Sequence, residues 1–180
     1  MRRVIKILGG VMPQSIIRIM KKIKQANSRH CFICGLENPV GLRLSFYQVE
    51  EGVVETEFIA DEKYQGYPGV LHGGIVAAVL DEITGRAHMG ADVHNPRFVF
   101  TGKLEVKYRK NVPIGKRLKV VGKVSKNKSR AVEAWAGVYD METNELLAEG
   151  AGLHIDVPKH QIDVSRLEEL GWKVYPDEAA

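Results

Sequence analysis

The stretch from Gly69 to Glu82, GVLHGGIVAAVLDE, constrains the fold of this chain more than any other segment. A turn of small residues leads into a run that is apolar almost all round when wound as a helix, and such a helix is normally covered on most sides. Asp81 lies within that helix. Because a buried carboxylate is costly unless it is paired or used in chemistry, Asp81 is a candidate functional residue.

Alternating apolar residues and turn signals place strands on both sides of this helix. Two strands are predicted before the helix, over residues 41–49 and 52–60, and three or four after it, over residues 98–110, 116–126, 130–140 and 145–156. The helix itself is predicted over residues 72–89. One antiparallel sheet curled around the helix would cover its apolar surface, so the expected fold class is α+β.

The N-terminal segment is predicted to form an amphipathic helical extension over residues 1–30. Its apolar residues recur at helical spacing opposite a basic side, and they are Ile16, Ile19, Met20 and Ile23. We expect this helix to pack on the domain or on a partner subunit. Contact with an anionic membrane surface is the alternative.

The rest of the chain divides into one domain and a tail. The domain is expected over residues 31–160, and residues 161–180 are expected to form a short C-terminal helix and tail. Asp163 or Ser165 would cap that helix and Gly171 would end it.

The overall composition favours a cytoplasmic enzyme or binding protein over a nucleic-acid or membrane protein. The net charge of +4 is too mild to indicate nucleic-acid binding. Two cysteines are too few for a disulfide framework and indicate a reducing compartment. The longest uncharged run, residues 64–80, is shorter than the roughly 20 residues that a membrane-spanning helix needs.

The order of the elements and the pattern His72-Gly73-Gly74, followed after six residues by Asp81, resemble the hotdog-fold acyl-CoA thioesterases. Within that superfamily the HGG-x6-D pattern is similar to the phenylacetate-degradation-like branch, and the resemblance covers residues 31–157. It implies a curved antiparallel sheet around one long central helix, and hydrolysis of an acyl-CoA thioester to the free acid and coenzyme A. It further implies a homodimer or a dimer of dimers, and neither a metal nor a redox cofactor.

The start of the helix and Asp81 are expected to serve different active sites of a dimer. Gly73 and Gly74 carry backbone N–H groups without an intrahelical partner, where the helix dipole is positive, so either can hold a developing oxyanion. Asp81 lies about 10 Å further along the axis, at a rise of 1.5 Å per residue. One thioester carbon cannot reach both groups, so they are expected to come from different subunits.

The resemblance also implies roles for individual residues. Asp81 would act as general base or nucleophile, the Gly73 N–H would be the oxyanion donor, and His72 would shape that site or serve as a structural residue of the turn. Thr101 would orient the attacking water. Strict alternation along the strand places the Thr101 side chain on the face opposite to that of Val106. To reach the site, Thr101 therefore needs a bulge at Gly102 or a role across the subunit interface.

Substrate binding is expected from the helix start, the loop before it and the basic strand ends. Gly74 is one candidate. At position 66, where related enzymes place an Asn or Gln, this chain has Gly66, and Gln65 beside it could substitute. Lys107, Arg109 and Arg130 could meet the phosphates of coenzyme A, or they could be solvated residues of strand edges and turns.

Three alternatives remain open from the sequence. Cys31 and Cys34 form a C-x-x-C turn and are interpreted as structural thiols, although a metal site with a histidine such as His30, or redox chemistry, is an alternative. Glu82 is turned about 100° from Asp81 and is expected to face solvent or a neighbouring arginine. For the whole protein, the alternatives to hydrolysis are a non-catalytic acyl-CoA or lipid-binding module, and a dehydratase.

Overall fold

The structure is a computed structural model that describes residues 6–7, 10–11, 22–128, 130–158 and 160–177. One α-helix, α1 (Gly73–Met89), lies between two groups of strands in this part of the chain. The strands are β1 (Lys6–Ile7), β2 (Gly10–Val11), β3 (Ile23–Lys24), β4 (Tyr47–Glu50), β5 (Val53–Ile59), β6 (Val99–Tyr108), β7 (Arg117–Asn127), β8 (Ala131–Asp140) and β9 (Leu146–Asp156). Short 3-10 turns occupy Glu62–Tyr64 and Val164–Arg166.

Seven strands form one antiparallel sheet in the order β3-β4-β5-β7-β8-β9-β6, and α1 packs against β5 to β9. Strands β1 and β2 pair only with each other in the described part of the chain. This arrangement is the hotdog fold, and it confirms the α+β class with one antiparallel sheet around one long helix. None of the described helices is long and apolar enough to cross a membrane.

The boundaries of α1 follow from local chemistry. His72 is the N-cap, and its ring nitrogen accepts the Gly74 N–H, while Gly90 ends the helix with a φ of 81° that favours glycine. The buried side of the helix includes Val76, Val79, Leu80, Ile83 and Ala87. A Cβ at Gly122 of β7 would lie 2.7 Å from the Ile83 carbonyl oxygen, so a glycine is needed at this contact between helix and sheet.

Strand β6 lies at one edge of the sheet, where it pairs with β9. The pairing shifts between Thr101 and Lys103, which makes Gly102 an extra residue in a β-bulge. The alternation of side chains is therefore broken after Thr101. Of the two routes that the sequence left open for Thr101 to reach the site, the bulge at Gly102 is present.

The prediction of an N-terminal helical extension is not supported by the described part of residues 1–30. Lys6–Ile7, Gly10–Val11 and Ile23–Lys24 are strands, and the intervening residues 8–9 and 12–21 lie outside the described residues. Ile23 pairs with Gln48 of β4, so its apolar side chain belongs to a strand and not to a helix face.

The first predicted strand and the C-terminal helix are also shorter than expected. Residues 41–46 are not a strand because Arg43 takes a φ of 56°, and Leu42 and Leu44 donate their N–H groups to the turn that holds Cys31 and Cys34. At the C-terminus Asp163 does act as a cap and Gly171 takes a φ of 85°, but only a 3-10 turn and further turns lie between them.

Candidate active site

Asp81 and Thr101 are in direct contact within one chain. The Thr101 hydroxyl donates to Oδ1 of Asp81 across 2.7 Å. Asp81 is half-buried on α1, and Thr101 is exposed on β6 before the bulge. This is a carboxylate with a hydroxyl beside it at an open edge of the sheet, which suits a general base or nucleophile with a group that orients water.

The N-terminus of α1 offers one free N–H rather than two. Nδ1 of His72 accepts the Gly74 N–H at 3.0 Å, so the expectation that both glycine N–H groups are unpaired was wrong for Gly74. The Gly73 N–H has no acceptor among the described residues. Because Nδ1 of His72 accepts the Gly74 N–H, the neutral ring is the tautomer with its proton on Nε2.

A cavity of about 280 Å³ lies beside this free N–H. The Tyr108 hydroxyl donates to the Gly73 carbonyl oxygen across 2.7 Å and forms one wall. The lining residues are Gly66, Tyr67, Val70, Leu71, His72, Gly73, Val76, Tyr108, Lys110, Asn111 and Val112. The cavity therefore joins an apolar surface to one unpaired backbone donor, as a site for an acyl carbonyl would.

Of the other residues that the sequence singled out for substrate binding, Gly66 lines this cavity and the rest do not. Gly66 lines it, and a Cβ there would lie 3.3 Å from the His72 ring, whereas the exposed Gln65 is not among the lining residues. Arg109 is paired with Glu149 at 2.6 Å. Lys107 and Arg130 are exposed and do not line the cavity.

A buried histidine, His154, is linked to the backbone of Asp81 through the Thr84 hydroxyl. Nε2 of His154 is 3.0 Å from the Thr84 hydroxyl, which bonds to the carbonyl oxygen of Asp81 at 2.9 Å. Burial lowers the pKa of His154, against the nearby Asp81 carboxylate, which raises it. The neighbouring His88 is also buried, and its burial, with the charges of His154 and Arg97, lowers its pKa to about 4. Both rings are therefore neutral at neutral pH.

Glu82 faces away from Asp81 and is paired with a buried arginine, as one of the sequence alternatives predicted. Oε1 of Glu82 accepts from Nε of Arg86 at 2.7 Å, and the Arg86 side chain is 1% exposed. Cys31 and Cys34 lie beside this pair as free thiols. The hydrogen bond from Cys34, helped by backbone N–H groups, lowers the pKa of Cys31 to about 6. The same bond and burial raise the pKa of Cys34.

Sequence reasoning missed Tyr108 and Thr84 as residues that support the site. Tyr108 carried a weak signal, as the last aromatic residue of a long alternating strand. Thr84 carried none, since a threonine one turn after Asp81 is also common in an ordinary buried helix. Only the sheet brings His154 to that threonine.

Comparisons with known proteins show which family model and which relatives this chain is similar to. A family model described as "Thioesterase superfamily" matches residues 68–146, the span from the loop before α1 into β9. Acyl-coenzyme A thioesterase THEM4 of Mus musculus is 25% identical over 136 residues, which is 75% of this chain and 57% of that protein. The chain thus spans little more than half the length of this relative.

Solved structures show the same fold. The chain of "protein RHA08564, thioesterase superfamily protein" is similar with a TM-score of 0.64 at 25% identity, over 71% of this chain and 61% of that one. The smu.793 protein of Streptococcus mutans, solved bound to acetyl CoA, has a TM-score of 0.57 at 18% identity, over 63% and 88% of the two chains. The family model and the shared fold make this chain similar to the thioesterase superfamily of hotdog proteins.

Proposed function

We propose that this protein hydrolyses an acyl-CoA thioester to the free acid and coenzyme A. The observation that carries the proposal is the Thr101–Asp81 hydrogen bond of 2.7 Å, on the helix whose first residue, Gly73, lines a cavity and has a free N–H. A carboxylate with a water-orienting hydroxyl and a backbone oxyanion donor are the groups that this reaction needs.

The active site would be shared between two copies of the chain. Gly73 and Asp81 are eight residues apart on one helix, so they are about 12 Å apart along its axis at 1.5 Å per residue. That span exceeds what one thioester carbonyl and its attacking water can bridge. The Asp81 of one subunit would therefore act on a carbonyl held by the partner's Gly73.

The edge strand β6 offers a route to this arrangement. Thr101 near its start contacts Asp81, and Tyr108 at its end contacts Gly73. If two β6 edges pair antiparallel about a two-fold axis, the start of one strand lies near the end of the other. Such pairing would bring Asp81 of one subunit toward the partner's Gly73 twice in each dimer. It would also cover an edge whose side chains are mostly exposed, including Phe100 at 54%.

In the proposed reaction the thioester carbonyl oxygen accepts the Gly73 N–H. Water bonded to Thr101 and Asp81 attacks the carbonyl carbon and gives its proton to Asp81. The tetrahedral intermediate then expels the coenzyme A thiolate, which takes that proton. In the alternative route Asp81 attacks directly, and water resolves the resulting mixed anhydride. Neither route needs a metal or redox cofactor.

The acyl-CoA class of substrate draws its support from the relatives and from charge. The similar mouse protein is an acyl-coenzyme A thioesterase by name, and the similar streptococcal structure contains acetyl CoA. Lys107 and Arg130 are exposed basic residues without an ion pair among the described residues, so they could meet phosphates. Arg109 would have to exchange its bond to Glu149 to do so.

A non-catalytic acyl-CoA-binding module is the second candidate. The observation that favours it is the glycine at position 66, because that position contributes no amide side chain to the cavity and Gln65 does not line it. In that case the same cavity would bind a thioester without polarising it enough for hydrolysis.

A panel of acyl-CoA thioesters with release of free thiol as the readout separates the two candidates. We expect turnover with at least one chain length, and a loss of about 10²- to 10⁴-fold in kcat for Asp81→Asn, the usual range for a general base. The matched control is Asp92→Asn, in the exposed loop after α1. Binding without thiol release would favour the binding module, and unchanged turnover in Asp81→Asn would refute the catalytic assignment.

A further inference from the structure

Two thiols and a carboxylate form a compact cluster on a different side of α1 from Asp81. One ligand atom each of Cys31, Cys34 and Glu82 lies within 4.8 Å of the other two. We name these three residues the thiol–carboxylate cluster. The proposed hydrolysis uses none of them, and Glu82 is turned about 100° from Asp81 around the helix axis.

The turn that carries the thiols is rigidly built. The N–H groups of Ile33 and Cys34 donate to Sγ of Cys31 at 3.3 and 3.4 Å, and the Gly35 N–H donates to the Cys31 carbonyl oxygen at 2.9 Å. A Cβ at Gly35 would lie 2.4 Å from that oxygen, so only glycine fits after the second cysteine. Nδ2 of Asn27 donates to the Cys34 carbonyl oxygen at 2.6 Å, which links the turn to the segment before it.

The carboxylate of the cluster is equally constrained. One oxygen of Glu82 is held by Arg86 at 2.7 Å, and the other lies 3.9 Å from Sγ of Cys31. The Arg86 guanidinium is fixed further by the Ala26 carbonyl oxygen at 3.0 Å and lies over the Phe46 ring. Its buried Nη2 has no hydrogen-bond partner among the described residues, so the hydrogen bonds of this buried guanidinium are incomplete.

We propose that the thiol–carboxylate cluster binds a thiophilic divalent cation, Zn²⁺ by the chemistry of its donors. The ligands are Sγ of Cys31, Sγ of Cys34 and the free oxygen of Glu82, with water as the fourth. Tetrahedral Zn²⁺ with Zn–S near 2.3 Å and Zn–O near 2.1 Å puts its ligand atoms roughly 3.5–3.8 Å apart. The three groups need to move by only about 1 Å to reach that spacing.

The charges of the surroundings fit such an ion. Two thiolates and one carboxylate carry three negative charges, and a divalent cation with Arg86 carries three positive ones. The loaded cluster is therefore neutral overall in a mostly buried place, which removes the large cost of an unpaired buried charge. The second shell is present too, since two backbone N–H groups already bond to the Cys31 sulfur and Arg86 orients Glu82.

The bound ion would act as a structural link. It would tie the Cys31–Cys34 turn, and through Asn27 the segment before it, to α1 one residue away from Asp81. Because such a site does not exist in the unfolded chain, binding of the ion would stabilise the fold.

Zn²⁺ itself is the probe for this proposal. The full-length protein is stripped with a chelator under reducing conditions and titrated with Zn²⁺ against a competing colorimetric chelator, and Tm is measured with and without the metal. We expect one Zn²⁺ per chain, a higher Tm in the loaded form, and a loss of more than tenfold in affinity for Glu82→Gln and Cys31→Ser. The matched control is Glu37→Gln, an exposed carboxylate in the same loop, which should bind like the wild type.

Three results would overturn the proposal. One is a stoichiometry far below one Zn²⁺ per chain with the thiols reduced. Another is wild-type affinity for Zn²⁺ in a Glu82→Gln variant that is folded by circular dichroism. Glu82→Gln is used for this test because Cys34 is buried, and Cys34→Ser could lose Zn²⁺ simply by unfolding. The third is a Cys31–Cys34 disulfide in the freshly purified protein, found by counting thiols after unfolding, which would make the pair a redox dithiol instead.

Discussion

The Thr101 hydroxyl bonds to the Asp81 carboxylate across 2.7 Å, and the bulge at Gly102 is what brings these two side chains together. Without the extra residue, strict alternation would keep Thr101 on the opposite face from Val106. The bulge is therefore part of the candidate active site, although Gly102 itself provides no side chain.

Replacing Thr101 tests the role of this hydroxyl. In Thr101→Val the attacking water loses an orienting partner and Asp81 loses a charge-assisted hydrogen bond, which is worth about 1.5–3 kcal/mol. We expect kcat to fall by roughly 10- to 100-fold, as that free energy implies. Thr101→Ser keeps the hydroxyl and should retain most of the activity. Equal loss in both variants would show that the hydroxyl is not what matters.

A proline at position 73 removes the proposed oxyanion donor and leaves the helix in place. Proline is favoured at the first position of a helix, and His72 before it has the extended φ and ψ of −59° and 133° that proline requires. We expect Gly73→Pro to lower kcat by about 10²- to 10³-fold, the usual effect of losing one oxyanion donor.

The control for this substitution is Gly73→Ala, which keeps the N–H. Its Cβ would lie 3.5 Å from the Tyr108 ring, an ordinary contact. Helix content by circular dichroism and kcat with one acyl-CoA are measured for both variants. Similar loss of kcat in the alanine variant would assign the effect to crowding and not to the N–H.

Mixing two inactive variants tests whether the site is shared. In a mixed dimer of Gly73→Pro and Asp81→Asn, one site combines the intact Asp81 of one subunit with the partner's intact Gly73, and the other site has lost both. Each mixed dimer has one working site of two, so we expect the purified mixed species to have about half of the wild-type activity per dimer. The two proteins are co-expressed with different affinity tags, and the mixed species is purified and assayed. Activity no higher than that of either variant alone would place the whole site in one chain.

The buried His88 predicts that the fold loses stability in mild acid. Its pKa is lowered to about 4 in the folded protein, from about 6.5 in an unfolded chain. The unfolded state therefore binds the proton first, so the stability that neutral His88 provides is complete above pH 6.5 and is lost as the pH falls toward 4. At about 1.4 kcal/mol per pKa unit, the loss reaches roughly 3 kcal/mol.

Urea unfolding between pH 7 and pH 4 measures this loss. His88→Gln should show a shallower fall in the free energy of unfolding than the wild type, while His94→Gln at an exposed position should follow the wild type. The remaining slope would come from His154, whose pKa is also lowered by burial, and from carboxylates near the low end of the range. A wild-type slope in His88→Gln would mean that this ring does not control acid stability.

The sequence by itself determined the core of this protein. The apolar helix was predicted over residues 72–89 and is found at Gly73–Met89, because its hydrophobic residues recur over four turns and His72 and Gly90 mark its ends. The four strands after it lie within one or two residues of their predicted limits, since long alternating runs and short turns leave few alternatives. The N-terminal prediction was wrong for Ile23, since a few apolar residues at helical spacing also fit a short edge strand.

Only the tertiary structure decided which residues meet. Thr101 reaches Asp81 through a one-residue bulge that no periodicity encodes, and Tyr108 reaches Gly73 because β6 runs alongside the helix. Glu82 meets Cys31 and Cys34 although 48 residues separate it from the nearer thiol, and the sequence had suggested His30 in its place. Short-range pattern fixes each element because it depends on local backbone preferences. The partners across the fold depend on how the sheet packs around α1.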